Sequence, residues 1–367
     1  MAPAAPLVHQ RLCGDLQQPI TALGWSADGE FLAIGSAGGE LLLLDFRAGC
    51  EELLRGEHDS SLDVVDFSHD GQFLVAAGQS GVLLLWELGG TGVRPRAFEP
   101  IQLRSGWIDA AAWQPDGLLL AVAVGRSLRL WDGASRNWRE PPLDLPGTIQ
   151  ALAWSADGVQ LAASCQGELV LWKPAQSASC ESPVRHPIGS AGLAVAFAGP
   201  GHYLACGMLD RSLMVWPQDC RSQPWQFSGF PAKVRLLAWS DQPGRLAPLL
   251  ASAAAETVVL WTKVKQGPKA WQPEPLLWHE KRVNALAFAP GSTVLASASC
   301  DGSVALWDDR GRMLQPLEGQ GSGFNVLSWR SDGQHLAAGD AQGRWWLWPV
   351  SVPKRARGRG AAGRGFA

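Results

Sequence analysis

Ala285 to Asp308 reads ALAFAPGSTVLASASCDGSVALWD. Three short apolar stretches are separated by a Pro-Gly and an Asp-Gly turn. Asp starts a turn by bonding its own backbone, and Gly tolerates positive φ, so both turns read as hairpin connections. Much the same phrase, ALAWSADGVQLAASCQGELVLWK, occupies Ala151 to Lys173. Similar turns recur as SADG at Ser26–Gly29, SHDG at Ser68–Gly71, QPDG at Gln114–Gly117 and SDG at Ser331–Gly333. The apolar runs are strand-length and show no sustained 3.6-residue period, which predicts an all-β chain.

Working outward, the aromatic closing the first run recurs at Trp25, Phe67, Trp113, Trp154, Phe197, Trp239, Phe288 and Trp329. The residue near the end of the third run is Leu44, then Trp86, Trp131, Trp172, Trp216, Trp261, Trp307 and Trp348. Its successive spacings are 42, 45, 41, 44, 45, 46 and 41 residues. Eight copies of one supersecondary unit therefore fill nearly the whole chain.

The phrase resembles the WD40 repeat, whose Trp-Asp signature survives at Trp131-Asp132 and Trp307-Asp308. The resemblance covers roughly residues 7–350 and implies a β-propeller of four-stranded blades. Eight blades are expected, or seven if the first copy, with Leu44 and no Trp, is incomplete. Residues 1–351 would form the propeller and 352–367 a flexible tail. Blades are wedges, so small residues belong on the innermost strand: Ala-Leu-Ala precedes Trp154 and Phe288, and Ala-Ala-Ala precedes Trp113. Trp on the third strand would fill the widening gap between blades, which accounts for much of the count of 19 Trp. LVHQRLC (Leu7–Cys13) is expected to close the ring as the outer strand of the last blade. The resemblance also implies a His, Ser, Asp and Trp tetrad, met in full by His279, Ser299, Asp301 and Trp307. His186, Asp210 and Trp216 give a partial version, and His58 and Trp86 a weaker one.

Composition sets limits. The net charge of −3 argues against a generally basic nucleic-acid binder. Seven Cys without a CxxC pair read as free thiols in a reducing compartment. MAPAAPLVHQRLCGD has no basic and apolar leader pattern, and the apolar run Leu118–Val124 is too short for a bilayer, so a cytoplasmic protein is expected. Gly358 to Gly363 matches GxGxxG in letters, but only four residues follow where a helix and a distant acid are required. No Walker A, HExxH or GxSxG motif appears, and the His residues lack metal-ligand spacing. The reading is therefore no enzyme, no cofactor and no metal, with a protein-binding scaffold as the function.

WD40 proteins commonly bind partners on the face carrying the loops into the innermost strands. The residue six before each first-strand aromatic often points there: Pro19, Ser61, Trp107, Thr148, Ala191, Lys233, Arg282 and Gly323. Trp107, Lys233 and Arg282 stand out, since aromatics and Arg anchor interfaces. Arg126 and Arg211, between second and third strands, are expected to share the face. The tail PKRARGRGAAGRGFA carries Lys354, Arg355, Arg357, Arg359 and Arg364 and no acid. Taking those five charges from −3 leaves −8 on the body. Such an arm could grip RNA, DNA or an acidic protein surface, which makes a nucleic-acid-associated factor the second reading. A propeller enzyme using the central channel is a third class without a supporting constellation.

Overall fold

The computed structural model describes residues 12–89, 94–103, 106–174, 182–199, 203–217, 220, 222–243, 246–267 and 270–351. The opening phrase forms one blade. Val283–Phe288, Leu295–Ser299, Ser303–Trp307 and Met313–Glu318 pair antiparallel in chain order. Its turn glycines, Gly291 and Gly302, have φ of 67° and 92°, where a side chain would be strained.

Eight such blades follow one another. The first copy makes a complete one: Ile20–Trp25, Phe31–Ser36, Leu41–Asp45 and Cys50–Arg55. Leu44 fills the third-strand position there, and Phe46 stacks on Trp25 at 5.3 Å to add ring area. The fourth and fifth blades are joined by an unbroken strand, Val184–Phe197. Its early part pairs with Gln166–Trp172, ending at Gln166↔Ala191; its later part pairs with Tyr203–Met208 from Gly192↔Met208. In the second blade the outer strand is split into Arg96–Ala97 and Ile101–Gln102.

Eight apolar clusters lie one between each pair of consecutive blades. Strand alternation explains this division. In the second blade Leu74 and Ala76 face the first, while Phe73, Val75 and Ala77 face the third. Each blade sends both of its repeat aromatics, or Leu44 in the first, toward the blade before it. All eight third-strand residues of the series are buried. Four first-strand Trp also donate Nε1–H to a carbonyl on the preceding innermost strand: Trp25 to Ser328, Trp154 to Ala112, Trp239 to Ala196 and Trp329 to Ala287. The bond from Trp25 joins first blade to last, so the ring is closed by packing.

It is closed by a strand as well. Leu12–Asp15 is the outer strand of the eighth blade, in register Leu12↔Leu347 to Asp15↔Arg344. It overlaps the expected Leu7–Cys13 at Leu12 and Cys13 and runs two residues beyond it; residues 7–11 fall outside the described residues. Gly14 explains the register. A Cβ there would sit 2.6 Å from the Trp345 ring, so only Gly can pass beneath that indole. Among the described residues, no helix is long and apolar enough to cross a membrane.

Candidate functional site

One end of the ring is built from loops entering the first strands and loops joining second to third strands. Backbone bonds tie them together: Ala37 N to Pro19 O, Ile149 N to Gly125 O, Val234 N to Met208 O, Val283 N to Ala255 O and Cys300 N to Arg282 O. Trp107, Arg126, Arg211, Lys233 and Arg282 all lie on this end and all are exposed. Trp107 is 61% exposed, so it does not pack on its own blade. Arg126 is tethered by Nε–H to Leu145 O at 2.9 Å. Arg211 holds φ of 66°, an unusual setting for a non-Gly residue, which turns the loop tip.

Side chains four before the first-strand aromatic mark the mouth of the central channel. Thr21 donates to Leu62 O, Asn284 to Phe324 O and Asn325 to Ile20 O, each reaching the next blade's first strand or the residue before it. The same repeat position holds Asp63 in the second blade, Asp109 in the third and Arg235 in the sixth. Ser61 donates to Asp63 at 2.9 Å, and burial pushes the Asp109 carboxyl up. Arg282 donates through Nε to Asn284 at 2.9 Å. Arg211, Lys233, Arg235, Lys281 and Arg282 form no ion pair among the described residues.

Further residues of this face escaped sequence reasoning. Leu209, Leu277 and Trp278 are 46%, 78% and 43% exposed beside those cations. The signal was available: Leu277-Trp278 is an apolar pair directly before His279, beyond the end of the strand Trp271–Leu276. On the first strand of the second blade, against the first strand of the third, Asp66 accepts N–H bonds from Trp113 at 2.8 Å and Phe67 at 3.0 Å. Burial nevertheless dominates and pushes its carboxyl up to about 6.

Beneath the face lies a polar network in the seventh blade, with one correction to its membership. His279 contacts Asp301 through Nδ1 at 3.0 Å and Ser297 through Nε2 at 2.8 Å. Trp307 donates Nε1–H to Ser297 at 2.9 Å. The serine is thus Ser297, not Ser299. Both point to the same side of one strand, but Ser297 lies one step deeper, within reach of the Trp307 indole. Ser299 sits at the strand end, where it donates to Lys281 O and accepts from Asp301 N. Desolvation lowers the His279 pKa against the raising influence of Asp301, which favours the neutral imidazole. In that form Nδ1–H donates to Asp301, and the Ser297 oxygen accepts the indole N–H while its hydroxyl donates to Nε2.

Other blades use other groups. Trp261 keeps its half of the network by donating to Ser252 at 2.9 Å. His186 lies in the long shared strand with Nε2 buried and unpartnered among the described residues, while Asp210 accepts from Ser212 instead. His58 stands exposed with its backbone N–H on Gly38 O, and no side-chain bond joins it to Trp86. In the eighth blade Arg344 and Ser322 both donate to buried Asp340, at 2.9 and 2.5 Å. No group of three His, Cys, Asp or Glu among the described residues could hold a metal ion. The tail residues Lys354, Arg355, Arg357, Arg359 and Arg364 lie outside the described residues.

Comparison with known proteins agrees with this geometry. A family model described as WD domain, G-beta repeat matches residues 51–87 and 274–308. THO complex subunit 3 of Arabidopsis thaliana is 31% identical over 117 residues, 31% of this chain and 36% of that protein. Nuclear distribution protein nudF of Aspergillus niger is 27% identical over 163 residues, 44% of this chain and 36% of its own length. The matched region thus spans little more than a third of these curated relatives. The crystal structure of Chaetomium thermophilum Sqt1, bound to the N-terminus of the ribosomal protein L10, superposes with a TM-score of 0.76 at 16% identity. It covers 91% of this chain and 97% of that one. With eight repeats, eight blades and a closing terminal strand, the chain resembles WD40-repeat proteins and has the fold of a WD40 β-propeller.

Proposed function

We propose that this protein is a non-enzymatic scaffold that assembles protein partners on the loop face around its channel mouth. The carrying observation is the exposed Trp107, opposite a block of cations without ion pairs. An exposed indole and exposed Leu277 and Trp278 cost solvation in the free protein, and aromatic and Arg side chains supply most interface energy when covered. Rigid blades hold these groups on short loops, so little ordering entropy opposes binding. The relatives' names support the same class of role: a complex subunit, and a propeller bound to a terminal segment of another protein. A cytoplasmic setting fits six described cysteines with no disulfide among them.

The test is affinity capture from native cells with the full chain, a chain ending at Val352, and a Trp107→Ala, Trp278→Ala double variant. Partners that survive nuclease and tail removal but are lost from the double variant are expected. Partners lost with nuclease or with the tail would instead move the function to the basic arm and to nucleic acid.

A further inference from the structure

The mouth of the channel is electrically divided, and the repeat numbering shows how. At the positions four and six before the first-strand aromatic, the second blade carries Asp63 and Ser61. The third carries Asp109 and Trp107, the sixth Arg235 and Lys233, and the seventh Asn284 and Arg282. The remaining four blades place only uncharged residues there: Pro19 and Thr21, Thr148 and Gln150, Ala191 and Leu193, Gly323 and Asn325. In a ring of eight, the second and third blades stand diametrically opposite the sixth and seventh. Asp63, Asp109, Lys233, Arg235 and Arg282 are all exposed. Two blades stand between the halves on either side, and among the described residues no ion pair joins them. Like-signed charges gathered on one rim sector cost free energy in the isolated protein and are relieved by an opposite charge.

We propose that the partner presents an extended peptide segment of mixed charge laid across the mouth. Its acidic part meets Lys233, Arg235 and Arg282, its basic part meets Asp63 and Asp109, and an apolar side chain covers Trp107. The inference rests on the loop face being the binding face. A single-stranded nucleic acid fits this mouth less well. Its uniform negative charge would be attracted at one rim and repelled at Asp63 and Asp109 on the other. Glu256 and Glu280 are exposed on loops of the cationic sector and Arg126 on a loop of the acidic one, so the division holds for the positions four and six before the aromatic. A peptide answers each local charge in turn with side chains of either sign.

The experiment selects from a random peptide library displayed on phage against the immobilised full chain. Two counter-targets are used: a Lys233→Glu, Arg235→Glu, Arg282→Glu variant and an Asp63→Lys, Asp109→Lys variant. All five positions are exposed loop or strand-entry sites, and an unchanged thermal melt checks folding in each variant. Selected peptides should carry an acidic block and a basic block flanking an apolar residue. They should lose about tenfold or more in affinity on either variant. Selection on the cation-reversed variant should discard the acidic block. Peptides of one sign only, or equal binding to all three proteins, overturn the proposal. An oligouridylate that binds more tightly than any selected peptide, and is lost with the cations, overturns it in favour of nucleic acid. Native partners lost from the Trp107, Trp278 variant but unaffected by both charge reversals would sink the charge pattern while leaving the binding face intact. Native partners unaffected by all of these variants would remove the binding face itself.

Discussion

At the scale of single residues, the seventh blade turns on Ser297. Its hydroxyl serves both His279 and Trp307, so Ser297→Ala leaves two buried polar atoms unsatisfied. That should cost about 1–3 kcal/mol, and more than Ser299→Ala, by chemical denaturation. His279 adds a pH dependence. Its folded pKa lies below 6.5, so the unfolded chain binds the proton more readily. The stability it contributes is complete above pH 6.5 and is lost as pH falls through the folded value. His186, lowered by burial, acts with the same sign. Asp66, raised to about 6 by burial, acts with the opposite sign, so the His279 contribution is read as a difference: the melting-temperature gap between wild type and His279→Gln should narrow as pH falls below 6.5. The inter-blade Trp bonds make a matched pair. Trp154→Phe removes the bond to Ala112 O, whereas Trp113 Nε1 is buried with no partner among the described residues. Trp154→Phe should cost more than Trp113→Phe by about 1 kcal/mol.

At the scale of elements, closure of the ring is the informative case. Leu12–Asp15 adds the fourth strand to a blade that otherwise has three, covering the edge of Arg344–Pro349. Removing residues 1–15 should lower the melting temperature by several degrees, and Gly14→Val should reproduce much of that loss by driving a side chain into the Trp345 ring. An unchanged melt for both would show that packing between blades alone holds the ring. The same elements show where sequence reading stops. Turns and inner strands were legible, because Asp-Gly pairs, small residues and Trp repeat at fixed offsets. Outer strands were not, since they are exposed and carry little pattern. Hence the expected closing strand ends at Cys13, two residues short of Asp15, and the continuous run Val184–Phe197 has no counterpart in the sequence reading. Ser297 and Ser299 share one face of one strand, so periodicity could not separate them; only the reach of the Trp307 indole does.

At the scale of the whole molecule, eightfold repetition yields a rigid disc whose loops differ while its blades do not. Sequence alone located the exposed Trp107 and the cations Arg126, Arg211, Lys233 and Arg282, since the repeat fixes which position meets the mouth. It missed Leu209, Leu277, Trp278, Arg235 and Lys281, which stand together only once the blades are arranged in a ring. The opposition of Asp63 and Asp109 to Lys233, Arg235 and Arg282 is likewise a property of the closed circle. The most direct test of the binding face is site-specific photo-crosslinking in native cells, with a benzophenone side chain at Trp107 or at Val159. Val159 is equally open to solvent but lies in a turn between first and second strands, at the opposite end of the ring. Protein adducts from position 107, with none shared by position 159, are the predicted result. Adducts only from position 159, or the same adducts from both, would contradict the assignment of this face.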